Sequence, residues 1–109
     1  MRSVCLVSPK ADQDLEGHAA YLAEVAGGDI GRRFLLAAEE TFLLLSRNPG
    51  IGWSPRLRSA QLKGLRIFSI SGFEKILAFY RPTDQGIEVL RVVHGSRNLL
   101  QFFRRERIE

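Results

Sequence analysis

The pentapeptide Asn48-Pro49-Gly50-Ile51-Gly52 divides the chain into two parts with different hydrophobic periods. Before it, apolar residues recur at helical spacing. Ser8-Pro9 reads as a helix start, with Ser8 as N-cap and Pro9 at the first helical position. Asp12 and Asp14 follow in the opening turns, where carboxylates meet the positive end of the helix dipole. Ala11, Leu15, Ala19 (with His18 beside it), Leu22 and Val25 form one buried stripe. Gly27-Gly28 stops this helix, and Asp29 is positioned to cap the next. Ile30, Phe34, Ala38, Phe42 and Leu45 form a second stripe that runs to about Arg47. Two helices joined so tightly are antiparallel neighbours.

After the break the period shortens. Residues 53–60 read as an irregular, exposed connector that contains Trp53, Pro55, Arg56 and Arg58. Leu62 to Ile70 and Phe73 to Tyr80 are strand-like runs separated by Ser71-Gly72. Residues 82–86 read as a turn, and Ile87 to Val93 as a third run, with His94 opening the turn that follows. A final helix is expected from Asn98 to about Arg107, and Ser3 to Val7 supplies one strand at the start. The order is therefore β-α-α-β-β-β-α. Helices segregated from hairpin-connected strands predict an α+β fold, a two-helix hairpin packed on an antiparallel β-sheet, as one domain over residues 1–109. The first strand belongs at an edge or beside the last strand.

Composition narrows the function classes. One cysteine, Cys5, excludes an internal disulfide and a thiolate-built zinc site, and the two histidines do not supply a ligand set. The Gly27-Gly28 and Gly50-x-Gly52 pairs lack the strand–loop–helix setting and lysine of a phosphate cradle. No run approaches the roughly 20 apolar residues that span a bilayer, and the N-terminus lacks the pattern of a signal peptide. A soluble cytoplasmic protein without metal or cofactor is the expectation. Charge is uneven. Residues 1–52 carry 5 basic and 7 acidic side chains, whereas residues 53–109 carry 11 and 5. Thirteen of the sixteen cations are arginine, the side chain best suited to fork onto carboxylate or phosphate. The basic half therefore faces nucleic acid or an acidic protein partner.

Several stretches together resemble a bacterial toxin superfamily, RelE/ParE. They are Ser8-Pro9-x-Ala11-x-x-Asp14-Leu15, Asn48-Pro49-Gly50-Ile51-Gly52, Gly64-Leu65-Arg66, Ile76-Leu77-Ala78-Phe79-Tyr80-Arg81, and Ile87 through Arg97. The last contains Arg91-Val92-Val93-His94-Gly95-Ser96-Arg97, which is similar to the ParE branch, although Asn98 stands where that branch usually has aspartate. The resemblance implies the toxin of a type II toxin–antitoxin pair, neutralised by a small acidic ParD-like antitoxin. It also implies action on DNA gyrase through protein contact, without cofactor and without sequence-specific nucleic-acid binding by the toxin alone. A RelE-like ribosome-dependent messenger endoribonuclease is the alternative, and a non-toxic interaction module is a second.

Cleavage by 2′-OH attack needs a base, an acid and cations around the phosphate. His94, with Arg66, Arg81 and Arg91 as clamps and Tyr80 as a further donor, would form that set. A docking surface would instead use Trp53, Arg56, Arg58, Arg66, Arg81, Arg91, His94, Arg97, Leu99, Phe102 and Phe103. Each has a structural counterpart. Trp53 can fold over the helix–sheet seam, His94 can cap a turn while Arg97 pairs Glu88 or Glu74, and Arg66 and Arg81 can be solvated strand residues. His18 reads as a boundary residue, and Cys5 as a small buried hydrophobe.

Overall fold

The computed structural model describes residues 3–55 and 64–95. Seven elements follow in order: β1 (Val4–Val7), α1 (Pro9–Ala26), α2 (Gly28–Arg47), a single 3-10 turn (Pro49–Ile51), β2 (Arg66–Ile70), β3 (Phe73–Thr83) and β4 (Gly86–His94). The expected C-terminal helix, with Arg97, Leu99, Phe102 and Phe103, lies outside the described residues, as do Arg56 and Arg58.

The helical hairpin forms as its spacing predicts. Ser8 caps α1 by accepting the Ala11 N–H at 3.0 Å, and Pro9 occupies the first turn, where its missing N–H costs nothing. Along α2, Phe34, Ala38, Thr41, Phe42 and Leu45 are buried on one face. Two details depart from expectation. Asp29 is not the cap of α2: Gly27, at φ 104°, turns the chain sharply enough for α2 to begin at Gly28. Asp29 then falls inside the first turn, paired with Arg32. Val25 closes the α1 stripe in sequence but is 59% exposed, so only the earlier positions of that stripe reach the core.

The sheet has the order β1-β4-β3-β2. Strands β2, β3 and β4 make an antiparallel meander, and β1 joins β4 in parallel, which makes the sheet mixed. Both alternatives for the first strand hold at once, since it is an edge strand and lies beside the last. β3 is longer than the expected run. It continues through Pro82 to Thr83, which shrinks the turn to Asp84 and Gln85. Pro82 is tolerated because β2 pairs only as far as Tyr80, leaving β3 with one open edge at that point. His94 is the last residue of β4, opposite Ile76, and does not begin the turn. The structure starts β2 at Arg66; residues 62 and 63 lie outside the description.

Period-two alternation sends side chains of each strand to opposite faces. Ile76, Ala78 and Tyr80 join Ile87, Val89, Val92 and the helices in the main core. Leu65, Ile67, Phe79, Leu90 and Val93 form a second buried cluster, in which none of the described helical residues takes part. Cys5 packs half-buried against the main core, and burial pushes its thiol pKa up, as befits an inert apolar group.

Candidate functional site: two occupied edges and an open groove

Three polar side chains of the Ser8–His18 stretch attach to β4 where β1 stops. The β1 pairing ends at Val7 opposite Val89. From there Ser8 Oγ donates to Leu90 O at 2.8 Å, Asp14 Oδ2 accepts the Val92 N–H at 2.9 Å, and His18 Nε2 donates to Val92 O at 2.9 Å. Asp14 and His18 are four residues apart and so share one helix face. The helix thereby satisfies backbone groups that a longer β1 would have paired. Asp14 also takes the Arg91 guanidinium with both oxygens, at 2.8 and 3.0 Å. The two side chains are only 17% and 15% exposed. His18 completes its packing edge-on against Phe34.

At the other edge of the sheet, the broken segment after α2 is tied down by two residues of the strand-like half. Tyr80 is fully buried, and its hydroxyl donates to Pro49 O at 2.8 Å while accepting the Gly52 N–H at 2.9 Å. Gly52 must be glycine, because a Cβ there would run into the Tyr80 ring. Arg66 donates from one nitrogen to Gly50 O and Gly52 O, at 3.2 and 2.7 Å. Trp53 then forms an isolated antiparallel bridge with Ile67, both backbone bonds being 2.8 Å.

Burial raises the Tyr80 pKa above its ordinary value of about 10, against the smaller lowering effects of the Gly52 hydrogen bond and the Arg66 charge. The raised value means that the native state holds this proton more tightly than the unfolded chain. Its contribution to stability is therefore complete below pH about 10 and is lost as pH rises through the folded-state value. Tyr80→Phe leaves Gly52 N–H and Pro49 C=O without their shared partner and is expected to cost about 1–3 kcal/mol. Urea unfolding at pH 7 and at pH 11 checks both points. The variant should be less stable at pH 7 and should lose less than the wild type on going to pH 11.

The five side chains of a possible nuclease site are thus distributed, not convergent. Arg66 and Tyr80 stand opposite each other on β2 and β3 and serve the 49–53 segment. Tyr80, expected as a further donor, spends its only proton on Pro49. Arg91 is bound by Asp14 beside β4. Arg81 stands opposite Glu88 in the β3–β4 register, and Arg97, the expected partner of Glu88 or Glu74, lies outside the described residues. His94 is exposed, opposite Ile76 and four strand positions from Tyr80, a separation of roughly 13 Å along β3. Among the described residues no three His, Cys, Asp or Glu side chains gather as a metal site.

Among the described residues, a groove of about 760 Å³ lies between α2 and β2. Leu44, Ile51, Trp53, Ile67, Phe68 and Ile70 line it, with Glu40 and Glu74. Trp53 sits here at 62% exposure, on the groove and not folded away over the seam. The sequence reading overlooked Asp14, His18 and Ser8 as a set. Two polar residues four apart on an otherwise core-facing stripe were the available signal.

Residues 6–99 match the family model for the ParE toxin of the type II toxin–antitoxin system parDE. Among solved structures, a chain described as the chromosomal ParDE toxin–antitoxin system from P. aeruginosa superposes with a TM-score of 0.69. That match covers 86% of this chain and 96% of the other at 20% identity, a likeness of fold. A search of curated proteins returned no match. With nearly the whole chain inside the family match, the protein belongs to the ParE toxin family of type II toxin–antitoxin systems.

Proposed function

We propose that the chain acts as a toxin that poisons DNA gyrase by protein contact and that a small acidic ParD-like antitoxin holds it inactive. The observation that carries contact over catalysis is the employment of Arg66, Tyr80 and Arg91. Each is engaged in holding the backbone or another side chain, so a phosphate clamp built on them would have to dismantle the fold. Docking needs no such rearrangement. Trp53 and the basic strand half offer the aromatic and arginine character that dominates protein interfaces. The docking set also takes Arg81 and His94 and, outside the described residues, Arg56, Arg58, Arg97, Leu99, Phe102 and Phe103, whose cationic and apolar character suits such a contact. The reading requires no cofactor. No helix among the described residues is long and apolar enough to cross a membrane, and a gyrase poison would work in the cytoplasm.

Inducing the chain in cells without an antitoxin tests the proposal. The expected result is linearised plasmid, a DNA-damage response and intact messages. Codon-phased cuts in messages that vanish in His94→Ala would replace it with the ribosome-dependent nuclease. Normal growth at full expression would replace it with a non-toxic interaction module.

A further inference from the structure

Helix α2 carries two lines of side chains. Phe34, Ala38 and Leu45 are buried on its core side, and on the side turned away from the core stand Arg33, Leu36, Glu40, Leu43 and Arg47, all exposed. Successive steps of three or four residues keep these five on one line along the helix. Leu36 and Leu43, at 60% and 49% exposure, are one heptad apart, as in the seam of a helix pair. The helix has 20 residues, so the line is about 30 Å long.

The charges on this line match their own reversed copy. Arg33 and Glu40 flank Leu36, and neither finds a ready partner on its own helix. The residues three and four positions from Glu40 are Leu36, Ala37, Leu43 and Leu44. Arg33 has Asp29 four positions before it, but Asp29 is paired with Arg32. A second α2 laid antiparallel about a twofold axis between Leu36 and Ala37 sets each Arg33 opposite Glu40 of the other copy. Parallel pairing would set Arg33 against Arg33 and Glu40 against Glu40, where like charges repel. The antiparallel arrangement also brings the two Leu36 side chains together near the axis. Leu43 then falls beside the other copy's first turn, where half-buried Ile30 lies. The same patch serves on both sides, so the contact closes as a dimer.

We infer that two copies of this chain pair antiparallel through the outer face of α2, with Leu36 and Leu43 as the apolar seam and two Arg33–Glu40 ion pairs fixing the direction. A second copy fits better than an unlike protein, because this one line supplies both members of each ion pair in the order that a twofold axis requires. One helix against one helix falls short of the roughly 1,200 Å² of a stable interface, so the dimer is weak, with a dissociation constant on the order of 0.1 mM. The inference concerns the free chain and does not depend on the target that the toxin acts on.

Sedimentation equilibrium of the full chain, from micromolar to millimolar concentration, tests this. The wild type should pass from monomer to dimer across that range, and Leu36→Ser/Leu43→Ser should stay monomeric. Arg33→Glu and Glu40→Arg each place two like-charge pairs in the seam and should weaken the dimer about tenfold. Mixing these two variants puts opposite charges back at both pairs, so a heterodimer should form. The double variant Arg33→Glu/Glu40→Arg should pair like the wild type. Circular dichroism melts confirm that these exposed substitutions leave the fold intact. A wild type that remains monomeric, a dimer unmoved by either charge reversal, or a mixture that does not pair each overturns the inference.

Discussion

Asp14→Ala is expected to lower folding stability by about 3 kcal/mol, the low end of what breaking a buried ion pair costs. The low end applies because both partners keep a little solvent contact. Three hydrogen bonds to two groups are lost at once. The Arg91 guanidinium loses its carboxylate, and the Val92 N–H loses its acceptor. For a domain of this size that loss should lower the melting temperature by roughly 12 °C or more. Urea unfolding at neutral pH measures the loss, and a decrease under 1 kcal/mol would show that the pair contributes little. The double variant Asp14→Ala/Arg91→Met separates the two components. Removing the half-buried guanidinium that has lost its carboxylate should restore part of the stability, while the Val92 amide still lacks the Asp14 acceptor. The same double variant bears on function. If Arg91 serves only to hold α1 to β4, toxicity should follow the recovered stability.

Gly86→Ala should be comparably damaging for a different reason. Gly86 opens β4 at φ 157°, directly opposite Val4 of β1. A Cβ at that position would run into the backbone of Val4, and backbone, unlike a side-chain tip, cannot swing aside. Overpacking of this kind costs about 1–3 kcal/mol, and the strained backbone adds to it. The consequence is local before it is global. β1 should separate from β4, and the Val4 N–H would lose Gln85 O, now 2.7 Å away. Hydrogen exchange reads this directly. Amide protection over residues 4–7 should fall in the variant while that of α2 is kept. Unchanged protection in β1 would mean that the strand accommodates the methyl group by a small shift.

Much of the fold is readable along the chain because its causes are short-range. Ser8-Pro9 announces a helix start, since a capping hydroxyl and a fixed φ act within one turn. Phe34, Ala38, Phe42 and Leu45 announce a buried face, since the helical repeat alone brings them together. The failures follow the same logic. Asp29 has the chemistry of a cap, but the positive φ of Gly27 puts the cap and the start of the helix two residues earlier. Val25 has the right spacing but lacks a neighbour to cover it.

The candidate site was legible as a set of residue types and not as an arrangement. Arginine, tyrosine and histidine in the second half suggested phosphate chemistry or docking. What separates the two is the company each side chain keeps, and that company is distant in sequence. Arg91 meets Asp14 across 77 positions, His18 meets Val92 across 74, and Tyr80 meets Pro49 across 31. A chain read residue by residue carries its periods, caps, breaks and charge balance, because these act between near neighbours. Whether a guanidinium is bound or free, and which sheet edge stays open, depends on contacts that exist only after the helical hairpin has folded back onto the strands.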